Sequence, residues 1–209
     1  MGAIVENEAQ ASSQSSGIET LTDSYERLRH SADTAELHEF ARRPLPPRDD
    51  ASAFSRATAL LEAVAGNAAT SVEDRIFLAS SMPFPNILVK LSEDPEPSVR
   101  REVARNTDSK NWLVGRLTKD PVQEVRTAAL LNPQASWKMR LEGAQNPETS
   151  HEALTFLSSL GEKEEPTAPV VLATMVRRAV ALNPSTPAEV MNTLKQDAQT
   201  DVRHAAELR

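Results

Sequence analysis

Cysteine is absent from this chain of 209 residues, so it has no disulfide, no thiolate nucleophile and no cysteine-held metal. Aromatic residues make up only 4%, with a single tyrosine, and a core must therefore be built from Leu, Val, Ile and Ala. Small aliphatic cores suit closely spaced helices better than a β-sandwich, which favours β-branched and aromatic side chains. Six glycines are too few for the many turns of an all-β chain. No apolar run approaches the roughly 18 residues of a membrane helix, so no membrane role is expected. The first residues lack the basic start and apolar stretch of a signal peptide, and Glu6 stands where a myristoylation signal needs Ser or Thr. Cytoplasm is the expected compartment. A basic surplus is missing too: the net charge of −7 argues against a general nucleic-acid binder and for solubility. No Gly-rich phosphate cradle, zinc-protease "HExxH" or nucleophile elbow "GxSxG" occurs. These gaps predict a protein that is not an enzyme and needs no cofactor.

What is present is repetition. "DPEPSVRREVARN", Asp94 to Asn106, returns altered as "DPVQEVRTAALLN" at Asp120 to Asn132, and "DAQTDVRHAAELR" occupies Asp197 to Arg209. Ungapped alignment gives units of 26 residues at 69–94, 95–120 and 121–146, a fourth at 172–197, and a partial unit at 198–209. Residues 147–171 are irregular. Within each unit, apolar residues four apart define two helices: Val99 with Val103, Val125 with Ala129 and Val176 with Val180 in the first. Ile87 with Leu91, Leu113 with Leu117 and Val190 with Leu194 mark the second, and "KMRLEGAQN" is read as the second helix of unit 121–146. Repeats of this length mark solenoids, in which each unit buries its apolar side against its neighbours. Fourteen prolines punctuate short helices rather than sit inside them. Ahead of the repeats, residues 1–17 read as a disordered polar tail and 18–45 as a helical region, with helices at about 18–29 and 34–42. The proline-rich 46–50 reads as a linker, and 51–209 as the repeat body.

The pattern "VRRAVALNPSTPAEVMNTLKQD", Val176 to Asp197, resembles the bacterial leucine-rich repeat variant, a relative of HEAT-type repeats. The resemblance spans roughly residues 69–209. It implies an all-α fold, a right-handed α-solenoid of about five short repeats with a helical N-terminal extension, acting as a binding scaffold. Some members of that family add an iron–sulfur cluster, which a chain without cysteine cannot ligate.

Recurring polar residues admit two readings each. Asp94 and Arg100, Asp120 and Arg126, and Asp197 and Arg203 stand six apart. In HEAT-like repeats a similar spacing resembles an internal ladder, and Asp before a helix also satisfies free N–H groups. The competing reading is an arginine row that grips an anion. Asn106, Asn132 and Asn183 read as helix punctuation through left-handed geometry. His38-Glu39 and His151-Glu152 supply too few donors for a metal site. "LGEKEEPTAP", Leu160 to Pro169, reads as a solvated acidic connector, with a binding loop as the alternative.

Residues 95–146 carry nine Lys plus Arg against six Asp plus Glu, a local +3. Trp112, Arg116, Lys119, Lys138 and Glu142, on the exposed side of the second helices, are the expected contact row for a protein or peptide, with Arg101 and Arg105 nearby. Two alternatives remain open at this level. Trp112, Trp137 and Asp108 in a basic groove resemble the layout of HEAT-like DNA glycosylases, a nucleic-acid reading. The last helix, without a second helix to cover it, suits self-association.

Overall fold

The computed structural model describes residues 19–208. The predicted disordered tail, and the predicted start of the first helix at Ile18, lie outside them. Among the described residues the chain forms thirteen α-helices and no strand beyond one isolated bridge, an all-α fold. They are α1 (Leu21–His30), α2 (Thr34–Arg42), α3 (Ala51–Ala65), α4 (Val72–Ser81), α5 (Pro85–Leu91), α6 (Pro97–Arg105) and α7 (Asn111–Leu117). They continue as α8 (Gln123–Leu131), α9 (Trp137–Gln145), α10 (His151–Ser158), α11 (Val170–Leu182), α12 (Ala188–Leu194) and α13 (Thr200–Glu207).

The starts of these helices follow from local chemistry. Thr20, Asp33, Asp50, Ser71, Ser136 and Ser150 each accept a backbone N–H of the first turn through the side chain. Proline opens α5 and α6, where its missing N–H costs nothing. Three starts, that of α6 among them, use an aspartate two residues upstream of the N-cap: Asp94, Asp120 and Asp197 accept the N–H of Glu96, Val122 and Gln199. That bend fixes the chain's entry into α6, α8 and α13.

Substantial helix contacts connect only helices one or two apart in the chain. Those two apart form two series, α2–α4–α6–α8–α10–α12 on one side and α1–α3–α5 with α9–α11–α13 on the other. The tightest packing changes series along the chain. It lies in α4–α6–α8 through the middle, then passes to α9–α11–α13.

The core divides at the same place. One buried cluster runs from Leu28 to Ala135, and a second from Ala144 to Ala206. The spacing-derived core residues are all buried: Ile87, Leu91, Val99, Val103, Leu113, Leu117, Val125, Ala129, Val176, Val180, Val190, Leu194, Val202 and Ala206. Leu28, Leu37 and Ala41, from α1 and α2, belong to the first cluster, so the core is continuous across the proline-rich segment.

Candidate binding groove

Two hydrogen-bonding devices hold neighbouring helices in register. The first is an asparagine clamp at the end of a helix. The Asn132 amide donates to the carbonyls of Ala104 (2.7 Å) and Asn106 (3.0 Å), at and just past the end of α6. Its Oδ1 accepts the N–H of Gln134. Asn106 clamps the end of α4 in the same way, Asn183 the end of α9, and Asn67 the end of α1. After Asn67, Asn106, Asn146 and Asn183, though not after Asn132, a hydroxyl three residues on closes the turn. Thr70, Ser109, Thr149 and Thr186 each donate to the carbonyl six residues back, all at 2.6 Å. The left-handed geometry predicted for these asparagines is not adopted: Asn106, Asn132 and Asn183 are extended, with ψ of 120, 133 and 126°. They recur because a short amide, unlike any other small side chain, donates twice and accepts once from one position.

The second device is the Asp–Arg ladder, in a different register from the six-residue pairs. The Arg100 fork grips the Asp120 carboxylate at 2.7 and 3.0 Å, and Arg177 grips Asp197 at 2.7 and 3.1 Å. Arg75 holds Asp94 at 2.7 Å. The six-apart arginines meet the same aspartates through the main chain: Arg100, Arg126 and Arg203 donate to the carbonyl oxygens of Asp94, Asp120 and Asp197. Each aspartate therefore joins two arginines, one on each side. Burial opposes ionisation of Asp120, but the Arg100 fork, the Val122 N–H and the charges of Arg100 and Arg126 outweigh it. They hold its carboxyl below the ordinary value of 3.8. Asp74 is shifted the same way: burial is again overcome, here by Ser71, Arg42 and His38. His38, weighed above as a metal ligand, gives its Nδ1 to this carboxylate at 3.0 Å.

The ladder changes hands at α9. Residue 146, where an aspartate would face Arg126, is asparagine, and among the described residues the one carboxylate that Arg126 pairs with is Glu148, at 3.9 Å. Arg140 on α9, 2% exposed, takes over the role and forks onto Glu165 at 2.7 and 2.5 Å. Glu165 adopts a φ of 45°, rare for a residue with a side chain, inside the loop read from sequence as a solvated connector. So α9 is not the second helix of unit 121–146 but a ladder helix whose end a later asparagine clamps, as Asn132 clamps the end of α6. Arg140, Ala144, Asn146 and Thr149 stand at the spacing of Arg100, Ala104, Asn106 and Ser109.

On the α6–α8–α10 side these devices leave a groove of about 500 Å3. Arg101 and Arg105 of α6 form one wall. Thr127, Ala128 and Leu131 of α8 supply the floor, and Glu124 of α8 and Glu152 of α10 contribute carboxylates. The expected contact residues do not form one row. Arg101 and Arg105 line the groove, whereas Lys119 and Glu142 line a separate cavity of about 190 Å3 beside α9. Trp112 stands 56% exposed on α7, and Lys138 is exposed on α9, 3.9 Å from Glu142. Arg116 ties α7 to Glu93 at 2.7 Å and to Ser92. Trp137 packs on the second core cluster beneath the Arg140 guanidinium, 5.0 Å from its ring centre. No helix among the described residues is long and apolar enough to cross a membrane. Compared with known families, characterised proteins and solved structures, the chain matches none.

Proposed function

We propose that this chain is a non-catalytic scaffold, a right-handed α-solenoid of the leucine-rich repeat variant kind, that holds an extended segment of a partner protein. The site is the groove across α6, α8 and α10. The observation that carries this reading is the groove itself, a mixed polar and apolar surface laid over helices that the Asn132 clamp and the Arg100–Asp120 fork lock together. Binding on such a preformed surface avoids the cost of ordering the receptor, so modest contacts suffice.

The local positive charge favours nucleic acid less than its count suggests. Arg100 and Arg126 are consumed by the ladder, Arg116 holds Glu93, and Arg101 and Arg105 share Glu102. Selection from a phage-displayed peptide library tests the proposal. Enriched peptides are expected to lose binding to the Gln123→Trp variant, whose indole obstructs the groove, and to keep binding to Trp112→Ala. Loss with Trp112→Ala alone moves the site to α7. No enrichment, with salt-sensitive binding to random duplex DNA instead, refutes the proposal.

A further inference from the structure

The groove has an uneven distribution of charge. On the α6 wall the Arg101 Nε and the Arg105 Nη1 both donate to one oxygen of Glu102, at 3.2 Å each. Two guanidiniums against one carboxylate leave a positive charge uncompensated. Glu124 and Glu152, on the α8 and α10 side, form no ion pair among the described residues. An isolated carboxylate and an uncompensated guanidinium facing the same cleft attract ligand charges of opposite sign at its two ends. Between the α6 arginines and Glu152 of α10 lies α8, whose Ala128 and Leu131 offer a patch for one apolar side chain.

Resting on the peptide-binding reading above, we propose that the groove selects a dipolar segment. One acidic residue would meet Arg101 and Arg105, an apolar residue would cover Ala128 and Leu131, and one basic residue would reach Glu124 and Glu152. Packed helices stand about 8–10 Å apart, so α6 to α10 spans about 20 Å. An extended chain advances about 3.3 Å per residue, which places the two charges about five or six positions apart. Uniformly acidic or uniformly basic segments meet a like charge at one end and are rejected. Chain direction is not specified, because the same charges fit either way round.

Fluorescence anisotropy with four labelled peptides tests this on the full chain. The probe is Gly-Asp-Gly-Leu-Ser-Gly-Lys-Gly; its relatives carry Asp at both charged positions, Lys at both, or Asp and Lys adjacent. Wild type is expected to prefer the probe at least tenfold over each relative. Reversing the α6 wall with Arg101→Glu and Arg105→Glu is expected to move the preference to the Lys/Lys peptide. Glu124→Lys with Glu152→Lys is expected to move it to Asp/Asp. Circular dichroism of each variant verifies the fold, since Arg105, Glu124 and Glu152 are exposed and Arg101 is half-buried at the groove wall. Equal binding of all four peptides, or preferences that ignore both reversals, overturns the charge pattern. If the library selection still yields groove-dependent peptides, only this inference falls; if it yields none, the scaffold reading falls with it.

Discussion

Removing one asparagine side chain isolates what the clamp contributes. Asn132 is 2% exposed, and three hydrogen bonds end on its amide: two donated to Ala104 and Asn106, and one accepted from Gln134 at 2.8 Å. The residue lies just past α8 in extended conformation, so alanine gains no helix propensity there to offset the loss. At about 1 kcal/mol net per hydrogen bond, Asn132→Ala should cost about 3 kcal/mol, because all three bonds are lost; the Asn106 carbonyl then keeps only the Ser109 N–H. With an unfolding slope of about 2 kcal/mol per molar urea, the midpoint falls by about 1.5 M. Asn146 supplies the internal control. It occupies the equivalent place after α9 but accepts only the Glu148 N–H, and its amide donates to no neighbour among the described residues. Asn146→Ala should therefore cost about 1 kcal/mol. Asn132→Asp should be at least as damaging as alanine, since it points a carboxylate at two carbonyl oxygens. Equal midpoint shifts for Asn132→Ala and Asn146→Ala would refute the argument that the bonds to α6 carry the stabilisation.

The ladder and the packing at α9 give two further expectations. Because the folded pKa of Asp120 lies below its unfolded value, the stability it contributes is present above about pH 4 and is lost as pH falls through the folded value. The stability gap between wild type and Asp120→Asn, measured by urea unfolding, should therefore narrow from about pH 6 to about pH 3; a constant gap contradicts the charged fork. A Cβ on Gly143 would meet two Leu130 methyls at 2.6 and 2.8 Å, and Leu130 is buried. Overpacking of about 1–3 kcal/mol then outweighs the roughly 1 kcal/mol that alanine gains in a helix. Gly143→Ala should lower the thermal midpoint, and a rise would show that α8 and α9 separate easily.

The apolar half of this fold was legible in the sequence, and the polar half only partly. Pairs such as Ile87 and Leu91 are separated by one helical turn, so their burial follows from period alone. The ladder was visible as recurring Asp and Arg, but six residues is a distance along the chain. The carboxylate of Asp120 turns back to Arg100, 20 residues earlier, because that arginine lies on the adjacent face of the stack. Arg75 escaped notice because it lies one position out of the 26-residue phase. Arg140 was hidden by the alignment itself, which assigned α9 to the wrong kind of helix. The signal was available: "R", "A", "N" and a hydroxyl residue at offsets 0, 4, 6 and 9 recur at Arg100, Arg140 and Arg177. Glu165 left no such trace, since it reaches Arg140 from an irregular loop through a backbone angle that side chains seldom adopt. The proposed groove could not be read from spacing, because α10 packs beside α8 across an intervening α9 that belongs to the other series.

The transfer of tight packing from α8 to α9 also creates a seam. Clamp bonds tie α8 back to α6 and α11 back to α9, but among the described residues no clamp joins α8 to α9. Across this seam α8 is held to the following stretch by side chains instead: the Thr127 and Ser150 hydroxyls lie 2.7 Å apart, and the Gln123 amide donates to the Glu148 carbonyl. The groove spans that seam, with Arg101 before it and Glu152 after it, so an occupant touching both would add one more tie across it.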